Sequence, residues 1–168
     1  MTFIAQVTSA KVYYHGTGST FEKFTRKGTG NHGLGFYFTP NKQEAKVFAK
    51  TLYGAGEKEN NPRIIEVALS FKKPFNTMSV ENAEQVAKHF GLTYRKPRFA
   101  GGATEHYHAL EKQLRAAKLV TGPKGKTNFN DKIQEAGFDA IEYDFMGHII
   151  VFDPKQIKIK SSTPLDKA

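Results

Sequence analysis

Histidines, glycine-rich turns and a lysine-rich turn are the parts of this sequence whose side chains or backbone suit chemistry. The run "VYYHGTGS" (12–19) carries His15 into a glycine turn flanked by small hydroxylated residues. Such a histidine either caps the turn or binds a ligand. Gly28, Gly30 and Gly33 have the count of a dinucleotide fingerprint, G-x-G-x-x-G. That fingerprint needs a strand before it and a helix after it, because the pyrophosphate sits on the helix N-terminus. Here a strand-like segment follows instead. "GPKGKT" (122–127) ends like a phosphate-binding loop, but the position five before Gly125 is Val120, where that loop needs glycine. Of the six histidines, His106 and His108 stand two apart on a predicted helix and point to different faces. His89 ends another helix, His32 lies in the glycine loop, and no H-E-x-x-H spacing exists. No metal site is expected, and these histidines are read as surface or cap residues.

The elements that must position these groups follow from periodicity and punctuation. Residues 11–15 alternate weakly and suit a strand, and the aromatic "LGFYFT" (34–39) suits a second. "TPNKQEAKVFAKTLYG" (39–54) predicts a helix with Thr39 as N-cap, Pro40 at the first helical position and Gly54 at its end. Ala45, Phe48, Ala49 and Leu52 share one face of it. "RIIEVALSF" (63–71) puts Ile65, Val67, Leu69 and Phe71 on one side of a strand. A helix from Ser79 turns Val80, Ala83, Ala87 and Phe90 inward and stops at Gly91. Another, over 104–120, buries Tyr107, Leu110, Leu114 and Ala117, and "NDKIQEAG" (130–137) is a short helix capped by Asn130. "FDAIEYD" (138–144) and "HIIVFD" (148–153) form a hairpin joined through Phe145, Met146 and Gly147. The order gives one α+β domain over 1–168, with a core of about 11–160 and short flexible ends.

Three segments then stand out: "YYHGTGS" (13–19), "GLGFYFTPNKQEAKVF" (33–48) and "EYDFMGHIIVFDPKQIK" (142–158). Singly, Tyr37 and Phe48 are core aromatics and His15 is a turn residue. Together, in this order and spacing, they resemble the ADP-ribosyltransferase superfamily. The resemblance is to its His-Tyr-Glu branch, which holds diphtheria-toxin-like toxins, poly(ADP-ribose) polymerases and small phage-encoded transferase domains. It spans about Val12 to Ile159. "HGT" is similar to the family's H-G-[ST] on its first core strand. The tyrosine of "GFYF" is similar to that of the second motif, which in the polymerases is followed eleven residues later by another aromatic; Phe48 stands at that distance from Tyr37. "HIIVFDPKQIK" is similar to the closing strand of phage transferase domains, with its V-[FY]-D core and later Q-[IV] pair.

The resemblance implies a split mixed/antiparallel β-sheet core with helices between the strands. It also implies cleavage of the nicotinamide–ribose bond of NAD and transfer of ADP-ribose to a protein or nucleic-acid acceptor. The transition state is oxocarbenium-like, so the protein must place NAD and stabilise positive charge at the anomeric carbon. By resemblance, His15 hydrogen-bonds a hydroxyl of the adenosine ribose. The backbone of Gly16 reads the carboxamide, with no side chain to obstruct approach, and Thr17 adds a hydroxyl contact. Tyr37 and Phe48 sandwich the nicotinamide ring, offset stacking worth about 1 kcal/mol per pair beyond burial. The glycine loop from Gly28 to Gly35 passes beside the dinucleotide.

At one place the sequence departs from the family. His148 stands where a glutamate usually begins the last motif strand. A carboxylate there orients a ribose hydroxyl and offsets positive charge; neutral imidazole does only the first. A three-residue hairpin loop places Asp144 across from His148, and two-residue alternation puts Glu142 on the same face. Either acid is a candidate for the missing charge. Some members of the branch lack the glutamate and transfer only one ADP-ribose unit, and a few have lost activity, so the resemblance implies mono-ADP-ribosyl transfer and not chain formation.

Composition bounds these readings. The chain has 168 residues, 39% hydrophobic, with fourteen Phe, seven Tyr and no Cys. That supports a real core and excludes disorder, a disulfide framework and thiolate metal sites. No apolar run nears the ~20 residues of a membrane span, and "MTFIAQVTSA" lacks a signal pattern. A soluble, cytoplasmic monomer is expected. The net charge of +9 favours anionic partners. Its positive residues gather in "YRKPR" (94–98), "GPKGK" (122–126) and "KQIKIK" (155–160), read as loop-borne. Arg95, Lys96, Arg98, Lys124 and Lys126 form the expected acceptor surface. The alternative is a weakly active or inactive module of the same fold that binds nucleic acid or an acidic partner through that surface. An RNA 2′-phosphotransferase shares the implied fold but relies on arginines beside the histidine motif; the nearest, Arg26 and Arg63, match no such position.

Overall fold

A computed structural model gives the fold and describes residues 11–18, 22–25, 27–28, 32–50, 61–98, 102 and 104–168. The segment 63–69 is apolar on both faces, so as a strand it needs cover on both sides. It forms β3 (Arg63–Leu69), flanked antiparallel by β1 (Lys11–Thr17) and β7 (Ile157–Pro164). The second sheet runs in the order β2 (Phe36–Phe38), β6 (His148–Val151), β5 (Ala140–Tyr143) and β4 (Pro74–Asn76). Its β4–β5 pair is parallel and the others antiparallel. This is the split, mixed α+β sheet that the sequence implied. The two sheet edges meet where Tyr14 and Thr39 exchange both backbone hydrogen bonds, at 2.8 and 3.0 Å.

Alternation sorts the side chains into layers. Ile65, Val67 and Leu69 of β3 join Phe36, Phe38, Ile149 and Val151 in a core between the sheets. On the other face of β3, Ile64 packs against Ala45 and Ala49 of α1 (Lys42–Lys50). Helices α2 (Val80–His89), α3 (Glu105–Ala116) and α4 (Phe129–Glu135) cover the second sheet and bury Leu110, Leu114, Phe129 and Ile133 against Ile141 and Ile150. Each such side chain contributes roughly 1.5–3 kcal/mol.

Several boundaries differ from the sequence expectation, each for a local reason. Asn41, not Thr39, caps α1: its Oδ1 accepts from the N–H groups of Gln43 and Glu44, at 2.9 and 3.3 Å. Thr39 is held extended by its bridge to Tyr14. Leu52 and Gly54, with Gly30 and Arg26, lie outside the described residues. Ser79 caps α2 as expected, accepting from Asn82 N–H at 3.1 Å. Ala117 is exposed instead of buried, because α3 ends just before it. Asn130 lies inside the first turn of α4 and is buried, so it is no cap; Asn128 precedes the helix. The hairpin turn has four residues, 144–147, so Tyr143 and not Asp144 pairs with His148. Lys158 and Lys160 are exposed residues of β7, a strand and not a loop, which runs to Pro164, past the expected core limit.

β1 and α1 approach closely at Gly16. A methyl group on Gly16 would stand 2.0 Å from the carbonyl oxygen of Ala45 and 2.8 Å from the nitrogen of Ala49. Both are backbone atoms of a helix and cannot turn aside. Gly16→Ala is therefore expected to destabilise the protein by about 3 kcal/mol or to displace α1. Gly91→Ala is the comparison: that residue has φ +73 and open space around it, so only the backbone cost of about 1 kcal/mol applies. Thermal or urea unfolding of the two variants checks the difference.

Candidate active site

The groups of interest collect where the two sheets part. His15 Nδ1 donates to the carbonyl oxygen of Tyr37 at 2.9 Å, which ties β1 to β2 and fixes the ring against Phe24 and Phe38. Tyr14 spends its backbone groups on Thr39, so alternation in an antiparallel pair directs the N–H and C=O of Gly16 to the same side, toward the split. Thr17, the next residue, is buried. Gly35 is buried as well and has a packing reason to be glycine: a methyl there would stand 2.2 Å from Ile150 Cγ2. Phe48 is half-buried on α1, with no ring contact to Tyr37 among the described residues.

Tyr37 belongs to a cluster of rings that the sequence did not reveal. Its hydroxyl donates to the Gly33 carbonyl at 2.5 Å, and its ring lies 6.1 Å from Tyr143. Tyr143 stacks on His32 at 4.4 Å and lies 5.2 Å from His148, while His32 also faces His108 at 5.6 Å. Asn130 holds the loop that carries His32. Its Nδ2 donates to the carbonyls of His32 and Leu34, at 2.7 and 3.0 Å, and its Oδ1 accepts from the Tyr107 hydroxyl at 2.8 Å. Gly33 sits at φ +79 with Asn130 only 2.9 Å from where a methyl would be, so no other residue fits. The surface reading of the histidines is thus corrected for His32 and His106, both buried; His106 Nδ1 shares a 2.7 Å hydrogen bond with the Tyr94 hydroxyl.

His148 is buried at the start of β6 with a carboxylate on each ring nitrogen. Nδ1 faces Asp144 Oδ2 across the turn, and Nε2 donates to Glu44 Oε2 at 2.7 Å. Glu44 Oε2 also accepts from the Thr39 hydroxyl at 2.7 Å. Burial pushes the Glu44 carboxyl up, but the bonds from His148 and Thr39 together outweigh it and leave it below its usual value. Glu142 is not part of this group. It pairs with Ile149 in the register and so lies on the opposite face of the sheet, where its charge raises the Tyr13 phenol that burial has already pushed up. The four-residue turn is the cause, since one residue of register moves a side chain to the other face. Glu44 was missed altogether; nothing local marks it, because its partner is 104 residues away.

Among the described residues no group of three or more His, Asp or Glu is arranged to hold a metal ion, and no helix is long and apolar enough to cross a membrane. Arg63 bonds Ser162 of β7, at 2.9 Å to both hydroxyl and carbonyl. An open groove of about 390 Å³ between Phe71, Lys72, Phe138 and Asp139 lies at the other end of β5 and shares no residue with the ring cluster.

The family described as ADP-ribosyltransferase in polyvalent proteins matches residues 9–163, nearly the whole chain. The chain belongs to that ADP-ribosyltransferase family. The match takes in His15, Tyr37, Glu44 and His148 together, so the split site lies wholly within the ADP-ribosyltransferase region. No curated protein and no solved structure compared with the chain gives a match.

The ring cluster has a measurable signature. Burial, then the neighbouring His108, lowers the pKa of His32 from 6.5 to about 4. Burial lowers His108 too; Glu111 opposes this and Lys124 adds to it. The unfolded chain therefore binds protons that the folded chain refuses, and stability must fall as pH drops from about 6.5 to about 4. At full expression a shift of this size is worth about 3 kcal/mol. His32→Phe, which can keep the stack on Tyr143, is expected to flatten that decline in melting temperature across pH 4 to 7.

Proposed function

We propose that this ADP-ribosyltransferase-family domain uses NAD and transfers a single ADP-ribose unit to a macromolecular acceptor. In that reaction the bond between ribose C1′ and the nicotinamide nitrogen breaks, and its electron pair leaves with neutral nicotinamide. Positive charge builds on C1′ and the ring oxygen until the acceptor nucleophile donates a pair to C1′ and releases its proton to solvent. The observation that carries the reading is the charge around His148. Neutral imidazole has one N–H, whereas both nitrogens here face carboxylates. Glu44 and Asp144 flank the imidazole and bring the negative charge that the family's single glutamate would supply.

The remaining roles follow from position. His15 and Thr17 bind the sugar and amide ends of NAD, and the backbone of Gly16 faces the split where a carboxamide would approach. Tyr37 and Phe48 take the nicotinamide ring between them. The acceptor lies along Arg95, Lys96, Arg98, Lys124 and Lys126, all exposed. Lys124 is near enough to His108 to lower its pKa, which puts that loop at the border of the ring cluster. Phe145 and Met146 are exposed at the turn that carries Asp144, a second surface an acceptor would meet.

Incubation with NAD labelled in the adenylate half is expected to release nicotinamide and attach label to an acceptor. Tyr37→Ala should abolish both, by about a hundredfold or more, if stacking places the ring for cleavage. A protein that releases no nicotinamide with any protein, RNA or DNA acceptor, yet binds nucleic acid with steep salt dependence, would be the binding module instead.

A further inference from the structure

We propose that Glu44 is the substrate-facing carboxylate of this site and that His148 is a positioning residue that holds it there. The inference rests on the NAD-cleaving reading above and says which of the acids performs the electrostatic work. Asp144 has both oxygens engaged: Oδ2 is on His148 and Oδ1 accepts from Met146 N–H at 2.8 Å, closing the turn. Glu142 is on the wrong face. Glu44 differs from both. Its two hydrogen bonds, from His148 and from Thr39, converge on Oε2, and Oε1 takes none among the described residues. The side chain is 20% exposed, so Oε1 looks out of the fold.

The place is right for contact with a ligand at the split. Thr39 follows Tyr37 by two residues in extended chain, so both side chains leave on one face about 7 Å apart, and Glu44 is bonded to Thr39. Ala45, the neighbour of Glu44, is the residue whose carbonyl presses on Gly16. Gly16, Tyr37 and Glu44 thus stand on three adjoining elements, β1, β2 and the first turn of α1. A carboxylate anchored through one oxygen and open at the other can accept a hydrogen bond from a sugar hydroxyl. It also places its charge near a developing cation without moving.

The groups facing Glu44 are Thr39 at the end of β2 and His148 of β6, with Asp144 behind His148. Burial raises the Glu44 carboxyl, and His148 is the larger of the two hydrogen-bonding influences that bring it below 4.5. Activity that needs the carboxylate is lost as pH falls through that lowered pKa. Removing the His148 ring leaves burial less opposed, so the acid limb of the rate profile must move to higher pH.

The test is nicotinamide release from NAD by wild type, Glu44→Gln, Glu44→Asp, Asp144→Asn and His148→Ala, with kcat, KM and pH profile. Melting temperatures would accompany each to show that the variants fold. Glu44→Gln is expected to lose about a hundredfold in kcat with KM for NAD within about threefold. Glu44→Asp, which keeps the charge, should lose less, and Asp144→Asn less than about tenfold. His148→Ala should shift the acid limb upward. Turnover that survives Glu44→Gln, or an acid limb unmoved in His148→Ala, overturns the assignment of Glu44 alone. Absence of turnover in the wild type overturns the NAD-cleaving reading and this inference with it.

Discussion

The backbone of α1 lies so close to β1 that only glycine fits between them, and the geometry of the site depends on that contact. With a methyl on Gly16 only 2.0 Å from the Ala45 carbonyl, the helix would have to withdraw. Its first turn would withdraw with it, and Glu44 would leave Thr39 and His148. The same residue whose amide faces the split is therefore the one that sets the depth of the acidic side chain. Close packing and the candidate site meet at one position, so an added atom there is expected to cost more than a methylene in the sheet core.

A second constraint acts from the opposite side. Asn130, itself buried, spends its whole amide on the loop from His32 to Leu34 and on Tyr107. A buried amide left unpaired is costly, so this arrangement is hard to loosen. It holds the carbonyl of Gly33 where Tyr37 can reach it and keeps His32 stacked on Tyr143. The aromatic wall of the candidate site is anchored through those bonds, while the acidic part is held by two hydrogen bonds to one oxygen of Glu44.

Much of the scaffold was legible in the sequence because local signals set it. The alternation of Ile65, Val67 and Leu69, the capping of α2 by Ser79 and the aromatic β2 all act over a few residues. His15, Tyr37 and His148 were legible through their order along the chain, and the structure links the first two by a hydrogen bond. The acids were not. Three residues or four in the turn after Tyr143 decides which face Glu142 takes, and the signal for four was the pair Asp144 and Gly147, both at positive φ. Thr39 and Asn41 are both good caps, and only the bridge to Tyr14 separates them. Asn130 looked like a cap because its type favours one, but its partners are loop carbonyls almost a hundred residues upstream. Glu44 looked like any polar residue in a helical first turn.

The span of these contacts has a consequence for how the protein comes into being. Asn130 reaches His32 across 98 residues, and His148 reaches Glu44 across 104. Closing loops of that length is entropically costly and comes with completion of the non-local sheet pairing. A chain emerging from the ribosome presents His15, Tyr37 and Glu44 early, but β6 must follow before any imidazole grips that carboxylate. Until then Glu44 is an ordinary solvated acid on a short helix. The charge cluster is thus a property of the finished polypeptide, and a chain cut short before β6 carries the glycine turn and the rings without it.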